Sequence, residues 1–339
     1  MPGLLSEIME QPAVLRGLLQ DEWPQIQRVA AAIRQRDVRF ALIAARGTSD
    51  NAAVYAKYVW GAYNGLTVAL AAPSLYTLYE RPPRLSDALV VGISQSGMSP
   101  DIVSVVEDGR RQGMLTLAIT NAPDSRLAQA AEWVISCRAG EERSVAATKS
   151  YTAELLCIAL LSVALADDTT RLAEAQVAPV AVEAALGLAP QIVRRAERYR
   201  YLSDCAVVGR GFNYATAFEV ALKIKELNSV GANPYSSADF MHGPMAVVGR
   251  GYPVIAVAPS GCVYDDLARL IAALCEREAE LIVISDREEL TAQAQLPLPE
   301  WLSSLAAVAP AQLLAYELAL AKGLDPETPR GLRKVTETR

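Results

Sequence analysis

A cluster of serines follows a strongly apolar stretch of the chain. The segment ALVVGISQSG covers residues 88–97, and its hydroxyl-rich turn leads into Pro100. A helix that starts after such a turn presents backbone N–H groups and the positive end of its dipole, and serine hydroxyls add donors. An ordinary helix cap would account for one serine but not for the cluster. We therefore predict that this turn binds a phosphate group through Ser94, Gln95, Ser96 and Ser99.

A second turn of this kind, residues 47–50, carries Thr48 and Ser49 after another apolar stretch. By itself it is weak evidence, because Ser and Thr commonly cap helices. The turns at matching places in the second half of the chain, residues 211–213 and 259–261, have lost most of their hydroxyls. The first half is therefore predicted to hold the phosphate.

Groups that could move a proton lie in the segment 221–244, where a helix end is followed by a predicted loop. An aldose–ketose isomerisation needs a base that carries a proton between adjacent carbons and an acid–base group that opens the sugar ring. Glu226 and His242, the one histidine of the chain, are of the right types. The alternatives are a packing or surface role for His242, and a surface ion pair of Glu226 with Lys223 or Lys225.

The polar tail, residues 325–339, contains Lys334. Two prolines and one glycine favour a defined path for this tail over the surface. Lys334 could then form an imine with the carbonyl group of an open-chain sugar. The alternative is an ordinary frayed terminus.

The elements that would position these residues repeat along the chain. Each apolar strand pattern is followed by a turn and a helical pattern, and each half closes with a helix rich in Ala and Leu. Three strand patterns recur at an offset of about 164 residues: 40–51 with 204–214, 88–97 with 252–261, and 115–121 with 281–286. The common offset favours a duplication over two unrelated α/β domains that merely look alike.

Strands that alternate with amphipathic helices predict parallel sheets with helices on both faces. We expect an α/β protein of two tandem domains, residues 1–168 with an N-terminal helical segment and residues 190–339 with a C-terminal tail. A linker is expected near residues 167–191. Ligands of such sheets bind at the carboxyl ends of the strands, where the serine-rich turn is predicted to lie.

Composition argues against several classes of protein. A net charge of −6 lacks the basic footprint of nucleic-acid binding. Five cysteines without a CxxC pair and a single histidine argue against a zinc site, and no cofactor is expected. No basic segment leads into an apolar run at the N-terminus, and the apolar run 155–166 is too short to cross a bilayer. We expect a cytoplasmic protein with reduced thiols and no membrane segment.

Six motifs follow one another along the chain: GTS (47–49), SQSG (94–97), VAATKSYT (145–152), LKIKE (222–226), MHGP (241–244) and PRGLRK (329–334). The segment SEIMEQP, residues 6–12, precedes them. In this order, the motifs resemble a known family, the isomerase half of glucosamine-6-phosphate synthase, which contains two sugar isomerase (SIS) domains. SEIMEQP is similar to the start of that half, so the resemblance covers essentially the whole chain.

The resemblance implies a phosphosugar site in which the serine-rich turn, residues 94–99, holds the phosphate. Ser49 would lie near the sugar hydroxyls, and Val145 would contribute from its loop.

The resemblance also implies the catalytic roles. Glu226 would carry the proton between carbons 1 and 2, with Lys223 nearby. His242 would open the ring, and the neighbouring subunit of a homodimer would donate it. Lys334 would hold the ketose as a Schiff base.

The net reaction stays open. Because the chain begins where the isomerase half begins, without a glutaminase half, we expect a glucosamine-6-phosphate deaminase that releases fructose 6-phosphate and ammonia. Alternatives are the isomerising aminotransferase with a separate glutaminase, a fructosamine-6-phosphate deglycase, and a non-catalytic sugar-phosphate sensor. Two departures, Met98-Ser99 where the family often has Glu-Thr and Ala147 where a serine is usual, leave the exact sugar open.

Overall fold

The computed structural model of the protein describes residues 3–287 and 298–334. Among these residues, nine strands form two sheets, and all strand pairings are parallel. Parallel neighbours need crossover connections, which place helices on the faces of the sheet. The predicted α/β class, with two helix-flanked parallel sheets, is confirmed.

The first sheet contains five strands, β1 (Phe40–Ala44), β2 (Thr67–Leu70), β3 (Ala88–Ser94), β4 (Leu115–Thr120) and β5 (Trp133–Ser136). Their order across the sheet is β2-β1-β3-β4-β5. The helices in this part of the chain are α1 (Leu4–Asp21), α2 (Trp23–Gln35), α3 (Thr48–Asn64), α4 (Ser74–Thr77), α5 (Pro100–Arg111), α6 (Arg126–Ala130), α7 (Lys149–Ala166) and α8 (Thr169–Gln176).

Strands β3 and β4 are buried along their whole length, as expected for strands covered on both faces. Alternate residues of the sheet, such as Leu42 and Val90, form one core with the apolar side chains of α5 and α6. Helices α3 and α7 contact each other as well as the strands. Gly109 of α5 lets this helix approach β3 closely, since a Cβ there would lie 2.7 Å from Cγ2 of Val90.

The second sheet contains four strands, β6 (Asp204–Gly209), β7 (Gly231–Ser236), β8 (Pro253–Val257) and β9 (Glu280–Ile284). Their order, β7-β6-β8-β9, matches the order of the first four strands across the first sheet, in agreement with the predicted repeat. The helices in this part of the chain are α9 (Ala178–Leu186), α10 (Ala189–Ala196), α11 (Tyr214–Asn228), α12 (Ser237–Met241), α13 (Tyr264–Glu276) and α14 (Ser303–Ala321).

Two connections differ from the sequence prediction. The segment between α11 and His242, predicted as a loop, contains the strand β7 and the short helix α12. The sequence GANPYS has no apolar run because β7 is an edge strand, where a proline and exposed polar residues are tolerated. The linker predicted near residues 167–191 is largely helical, since it contains α8, α9 and the start of α10.

The helix α7 is longer than the apolar run 155–166 indicated, because it begins at the polar residue Lys149. Of the helices in the described ranges, two are long and apolar enough to span a membrane by length and composition alone, Lys149–Ala166 and Glu300–Ala321. The second segment is α14 together with the 3₁₀ turn before it. Over an apolar stretch of 18 residues in each segment, 89% of the residues are buried in the first and 78% in the second. The interpretation of residues 155–166 as part of a buried helix is confirmed. The prediction that this helix is too short to cross a bilayer is wrong, because it extends back to Lys149.

The described chain divides into two compact units, each formed from separate segments. One unit combines residues 3–12, 143–148, 177–287 and 298–332, and the other combines 13–142, 149–176 and 333–334. The domain boundaries expected from the sequence, 1–168 and 190–339, stay a prediction. The first unit also ties the start of α1 to the tail, because the N–H of Leu4 donates to both oxygens of Glu327, at 2.8 and 3.0 Å.

The close approach of α5 to β3 gives a test of the fold. Alanine usually stabilises a helix by about 1 kcal/mol relative to glycine. At Gly109 the new methyl group would instead press on the buried side chain of Val90, so Gly109→Ala should lower the free energy of unfolding by about 1–3 kcal/mol. Urea denaturation measures this change.

Gly17 of α1 is the matched control, because a Cβ there has open space around it. Gly17→Ala should raise the free energy of unfolding by up to about 1 kcal/mol. Equal effects of the two substitutions would contradict the packing described for α5.

Candidate functional site

The serine-rich turn connects the end of β3 to the start of α5, at the carboxyl edge of the first sheet. Two of its hydroxyls accept hydrogen bonds within the turn: Oγ of Ser94 from the N–H of Gly97 at 3.1 Å, and Oγ of Ser96 from the N–H of Met98 at 3.4 Å. These bonds order the backbone of the turn. The turn therefore lies, with an ordered backbone, directly before the N-terminus of a helix, a position at which backbone N–H groups can bind an anion.

Ser99 occupies the cap position of α5 with an extended backbone (φ −65°, ψ 114°). Its hydroxyl makes no capping hydrogen bond to the N–H groups of this fully described helix. Asp101 instead lies in the first turn, fully buried, and accepts from Nε of Arg46 at 2.8 Å. The alternative role of Ser99, as a helix cap only, requires a hydrogen bond from its hydroxyl to an N–H of the first turn, and this bond is not formed.

Gly97 fixes the path of this turn. Its φ of +63° favours glycine, and an added Cβ would lie 2.0 Å from Oγ of Ser125. Its carbonyl accepts the N–H of Leu127 at 3.1 Å, and the carbonyl of Gln95 accepts the N–H of Asn121 at 3.2 Å. The turn is therefore held on the segment that follows β4.

The turn after β1 contains Thr48 and Ser49 at the start of α3. Ser49 is buried, and its hydroxyl donates to Oε1 of Glu154 at 2.8 Å, while Thr48 is half-buried. Burial raises the pKa of the Asp50 carboxyl, and the nearby guanidinium of Arg46 opposes this shift. Arg46 was missed by the sequence analysis, although it stands directly before the Gly-Thr-Ser motif.

The corresponding turn of the second sheet, after β8, is chemically different. There the N–H of Ser260 donates to Asp286 and the N–H of Cys262 donates to Glu300, each at 2.6 Å. A Cβ at Gly261 would collide with the carboxylate of Glu300. Two backbone donors of this turn are thus occupied by carboxylates of the chain itself.

Glu226 lies near the end of α11 and is paired with a buried lysine. Nζ of Lys223 is 2.5 Å from Oε2 of Glu226 and 3.5 Å from Oε1 of Glu219. The side chains of Lys223 and Glu219 are 1% and 0% exposed, whereas that of Glu226 is 21% exposed. The sequence left open a surface ion pair with Lys223 or Lys225. The pair forms with Lys223 but is largely buried, and Lys225 is exposed.

Glu226 reaches a cleft of about 270 Å³ within its own unit. The cleft is lined by the end of α11, the turn after α14 and the first part of the tail, with Ser229, Thr328 and Arg330 among its polar groups. A partly exposed carboxylate beside a buried ammonium group can exchange a proton with a ligand in such a cleft.

His242 follows α12 and is exposed. Its backbone N–H donates to the carbonyl of Asp239 at 3.1 Å, and the next residue, Gly243, has a φ of +145°. The neighbouring apolar side chains Met241 and Val247 are 48% and 62% exposed. A packing role for His242 within the described chain is therefore wrong, and its imidazole lies at the surface.

Lys334 lies in a defined place. Its Nζ is 3.2 Å from Oε2 of Glu142, whose side chain is fully buried. Glu142 also accepts the N–H and the hydroxyl of Ser150, at 3.1 and 2.7 Å, at the start of α7. The tail up to residue 334 thus follows a path rather than fraying, as one of the two interpretations expected. Glu142 was missed by the sequence analysis, because nothing local links it to a residue 192 positions later.

Val145 lies half-buried in the irregular loop 143–148, where the backbone N–H groups of Arg143 and Ser144 donate to Glu7. The predicted site residues are divided between the two units. One unit contains Val145, Lys223, Glu226 and His242, and the other contains Thr48, Ser49, Ser94, Gln95, Ser96, Ser99 and Lys334.

Two parallel sheets with matching strand order, and a hydroxyl-rich turn at the carboxyl edge of the first, define a class of duplicated α/β proteins. Within this class, the chain belongs to the SIS domain family, whose domain matches residues 36–164 and 204–322. The family drawn from the sequence motifs is confirmed.

Named relatives with similar sequences support the assignment to this family. Glutamine–fructose-6-phosphate aminotransferase (isomerizing) from Bordetella parapertussis is 34% identical over 349 residues, covering 97% of this chain and 57% of the relative. The enzyme of the same name from Thermococcus kodakarensis is 33% identical, covering 98% and 57%. The chain thus spans little more than half the length of these relatives.

Solved structures match over nearly the whole chain. A candidate phosphosugar isomerase from Silicibacter pomeroyi has a TM-score of 0.87 at 32% identity, covering 96% of this chain and 100% of that one. The C-terminal domain of glucosamine-fructose-6-phosphate aminotransferase from Francisella tularensis has 0.86 at 26%, covering 96% and 98%. A glucosamine-6-phosphate deaminase from Thermotoga maritima has 0.82 at 21%, covering 99% of each, and supports the fold alone.

The buried ion pairs of Lys223 on α11 can be tested by their effect on stability. Lys223→Met removes the cation between two carboxylates and should lower the free energy of unfolding by about 3–5 kcal/mol at neutral pH. The unpaired carboxylates would bind protons more tightly in the folded state, so the loss should shrink as the pH falls and grow as it rises. Urea denaturation over a pH series measures both effects.

Lys225→Met on the same helix is the control, because Lys225 is exposed and its loss should change stability by less than about 0.5 kcal/mol. A pH-independent loss in Lys223→Met would contradict the electrostatic explanation.

Proposed function

We propose that the protein isomerises a phosphorylated amino sugar and acts as a glucosamine-6-phosphate deaminase. The observation that carries the proposal is Glu226, a partly exposed carboxylate paired with the buried Lys223 on a cleft. In the proposed reaction, one water and one glucosamine 6-phosphate give one fructose 6-phosphate and one ammonia.

The phosphate group is proposed to bind at the serine-rich turn. Support comes from the uncapped position of Ser99 and from the N–H groups at the start of α5. Arg46 places a guanidinium group beside this turn. The guanidinium is paired with Asp101, but the side chain of Arg46 is 49% exposed and can still contact a ligand. Thr48 is proposed to hold a sugar hydroxyl. Because Ser49 donates to Glu154, it would have to act through its acceptor lone pairs or exchange its partner.

The proton transfer is proposed as follows. His242 opens the sugar ring by moving a proton between the ring oxygen and the anomeric hydroxyl. Glu226 removes the proton from carbon 2 and returns it to carbon 1, which converts the aldose into the ketose imine. Lys223 stabilises the carboxylate and holds its orientation.

Lys334 is proposed to displace ammonia and hold the ketose as a Schiff base, which water then hydrolyses. An amine attacks a carbonyl or imine carbon only in its neutral form. The ion pair of Lys334 with Glu142 therefore has to open or pass its proton on before the attack.

A second candidate is favoured by the relatives, which are named as isomerising aminotransferases. In that case the same proton transfer runs from the ketose imine to the aldose, and ammonia is consumed. Both candidates use Glu226 in the same role, and they differ in the direction of the net reaction.

The protein is further proposed to be a cytoplasmic homodimer in which His242 serves the neighbouring subunit. The exposed imidazole and its exposed apolar neighbours Met241 and Val247 support this proposal. No organic cofactor is required for proton transfer and imine chemistry.

Ammonia and fructose 6-phosphate should appear in equal amounts when the purified protein is incubated with glucosamine 6-phosphate. Glu226→Gln should lower kcat by a factor on the order of 10³, because the amide cannot carry the proton. Glu276→Gln, a substitution at an exposed carboxylate, is the control and should leave the rate unchanged.

The reverse assay, with fructose 6-phosphate and ammonium, separates the two candidate directions. Absence of turnover in both directions, and with fructosamine 6-phosphates, while the sugar phosphate still binds, would instead indicate a sensor.

Ser99 separates phosphate binding from helix capping. Ser99→Ala should raise the KM for the sugar phosphate by roughly tenfold or more, since a hydrogen bond to a charged group contributes about 1.5–3 kcal/mol. Its thermal stability should be nearly unchanged, because the hydroxyl makes no cap bond.

Ser236→Ala is the stability control, because the Ser236 side chain does cap α12 and its loss should cost about 1 kcal/mol. If Ser99→Ala lowered the thermal stability and left the KM unchanged, Ser99 would be a helix cap and the predicted phosphate contact would be wrong.

A further inference from the structure

Glu7 is a buried carboxylate outside the set of predicted catalytic and binding residues. Its side chain projects from α1, and the residue is 1% exposed. Its Oε1 accepts the N–H of Arg143 at 2.5 Å, and both oxygens accept the N–H of Ser144 at 3.3 Å. A buried carboxylate is costly unless hydrogen bonds compensate it, so these two contacts are a strong local constraint.

Gln11 lies one turn further along α1, on the same face as Glu7. It is fully buried, and its Nε2 donates to Oε1 of Gln312 at 2.9 Å. Nε2 of Gln312 in turn donates to the carbonyl of Thr148 at 3.5 Å. Glu7 therefore holds the first two residues of the loop 143–148. The last residue, Thr148, accepts a longer hydrogen bond from Gln312, and Gln11 holds Gln312 in place.

The residues between these anchors are Val145, Ala146 and Ala147. They form no regular secondary structure, and Val145 and Ala147 are half-buried. This backbone is not part of a β-sheet or a helix, so no regular hydrogen bonds fix it. Its position therefore depends on the side chains that hydrogen-bond to its two ends. All of these residues belong to one compact unit.

We infer that Glu7 is a positioning residue that holds the backbone of Val145–Ala147 in place for contact with the sugar. Gln11 supports the other end of the loop. The inference rests on the proposed function, in which Val145 contributes to the sugar site. Glu7 acts through the loop and not on the reacting atoms.

The test compares Glu7→Gln with the wild-type protein by amide hydrogen exchange and steady-state kinetics. Glutamine keeps one acceptor oxygen but replaces the other with an NH₂ donor that faces the N–H of Ser144, and it removes the negative charge that strengthens the bond from Arg143. The amides of Arg143 and Ser144 should therefore exchange at least about tenfold faster. The KM for glucosamine 6-phosphate should rise by roughly tenfold, with kcat changed less than the KM. The inhibition constant of inorganic phosphate should stay the same, because phosphate is proposed to bind at residues 94–99.

Two further variants separate the role of Glu7 from a general effect of changing a carboxylate on α1. Glu7→Asp retains the charge on a shorter side chain and should give an intermediate KM. Glu10→Gln removes a neighbouring carboxylate of α1 that accepts from Ser6, and should leave both the KM and the exchange of the loop unchanged.

Unchanged exchange at Arg143 and Ser144 in Glu7→Gln would overturn the inference, as would faster exchange with an unchanged KM. A parallel rise in the phosphate inhibition constant would indicate a general loss of structure and would also overturn it. An inactive wild-type protein would refute the proposed function instead, and the exchange data would still report whether Glu7 grips the loop.

Discussion

Backbone N–H groups at the turns after parallel strands need acceptors, and the two halves of this protein meet that need differently. After β3, the hydroxyls of Ser94 and Ser96 satisfy part of the turn, while the start of α5 is left without a side-chain cap from Ser99. After β8, Asp286 and Glu300 take the donors. The two halves therefore satisfy these turns differently, with serine hydroxyls in the first half and carboxylates of the chain in the second.

Buried carboxylates also hold the irregular segments that no sheet can hold. Asp101 binds Arg46, Glu142 binds the start of α7 and Lys334, and Glu7 binds the loop 143–148. Each of these charges would cost several kcal/mol if it lost its partners, so each strongly favours one arrangement of its loop. Loops that carry candidate functional residues thereby gain the order that hydrogen-bond ladders give to strands.

The sequence predicted the features that are local. Apolar runs located β1, β3 and β4 and their repeats, and the serine cluster located the turn before α5. It did not predict β2, β5 and β7, which are short strands with exposed or partly exposed residues in which an apolar run is weak or absent. It also missed Arg46, Glu142 and Glu7, because their roles depend on partners 55, 192 and 136 positions away. Such pairings are set by tertiary structure and leave no local pattern.

The contact between Leu4 and Glu327 has a consequence for the order in which the chain can fold. The two residues are 323 positions apart, and Gln11 and Gln312 are 301 apart. Contacts with such separation are slow to form because a long loop must close first. During synthesis, the first residues of α1 must wait for residues 312–327 to emerge, while the sheet formed by residues 40–136 can assemble earlier. The amino-terminal turns of α1 would therefore be among the last parts of the protein to become ordered.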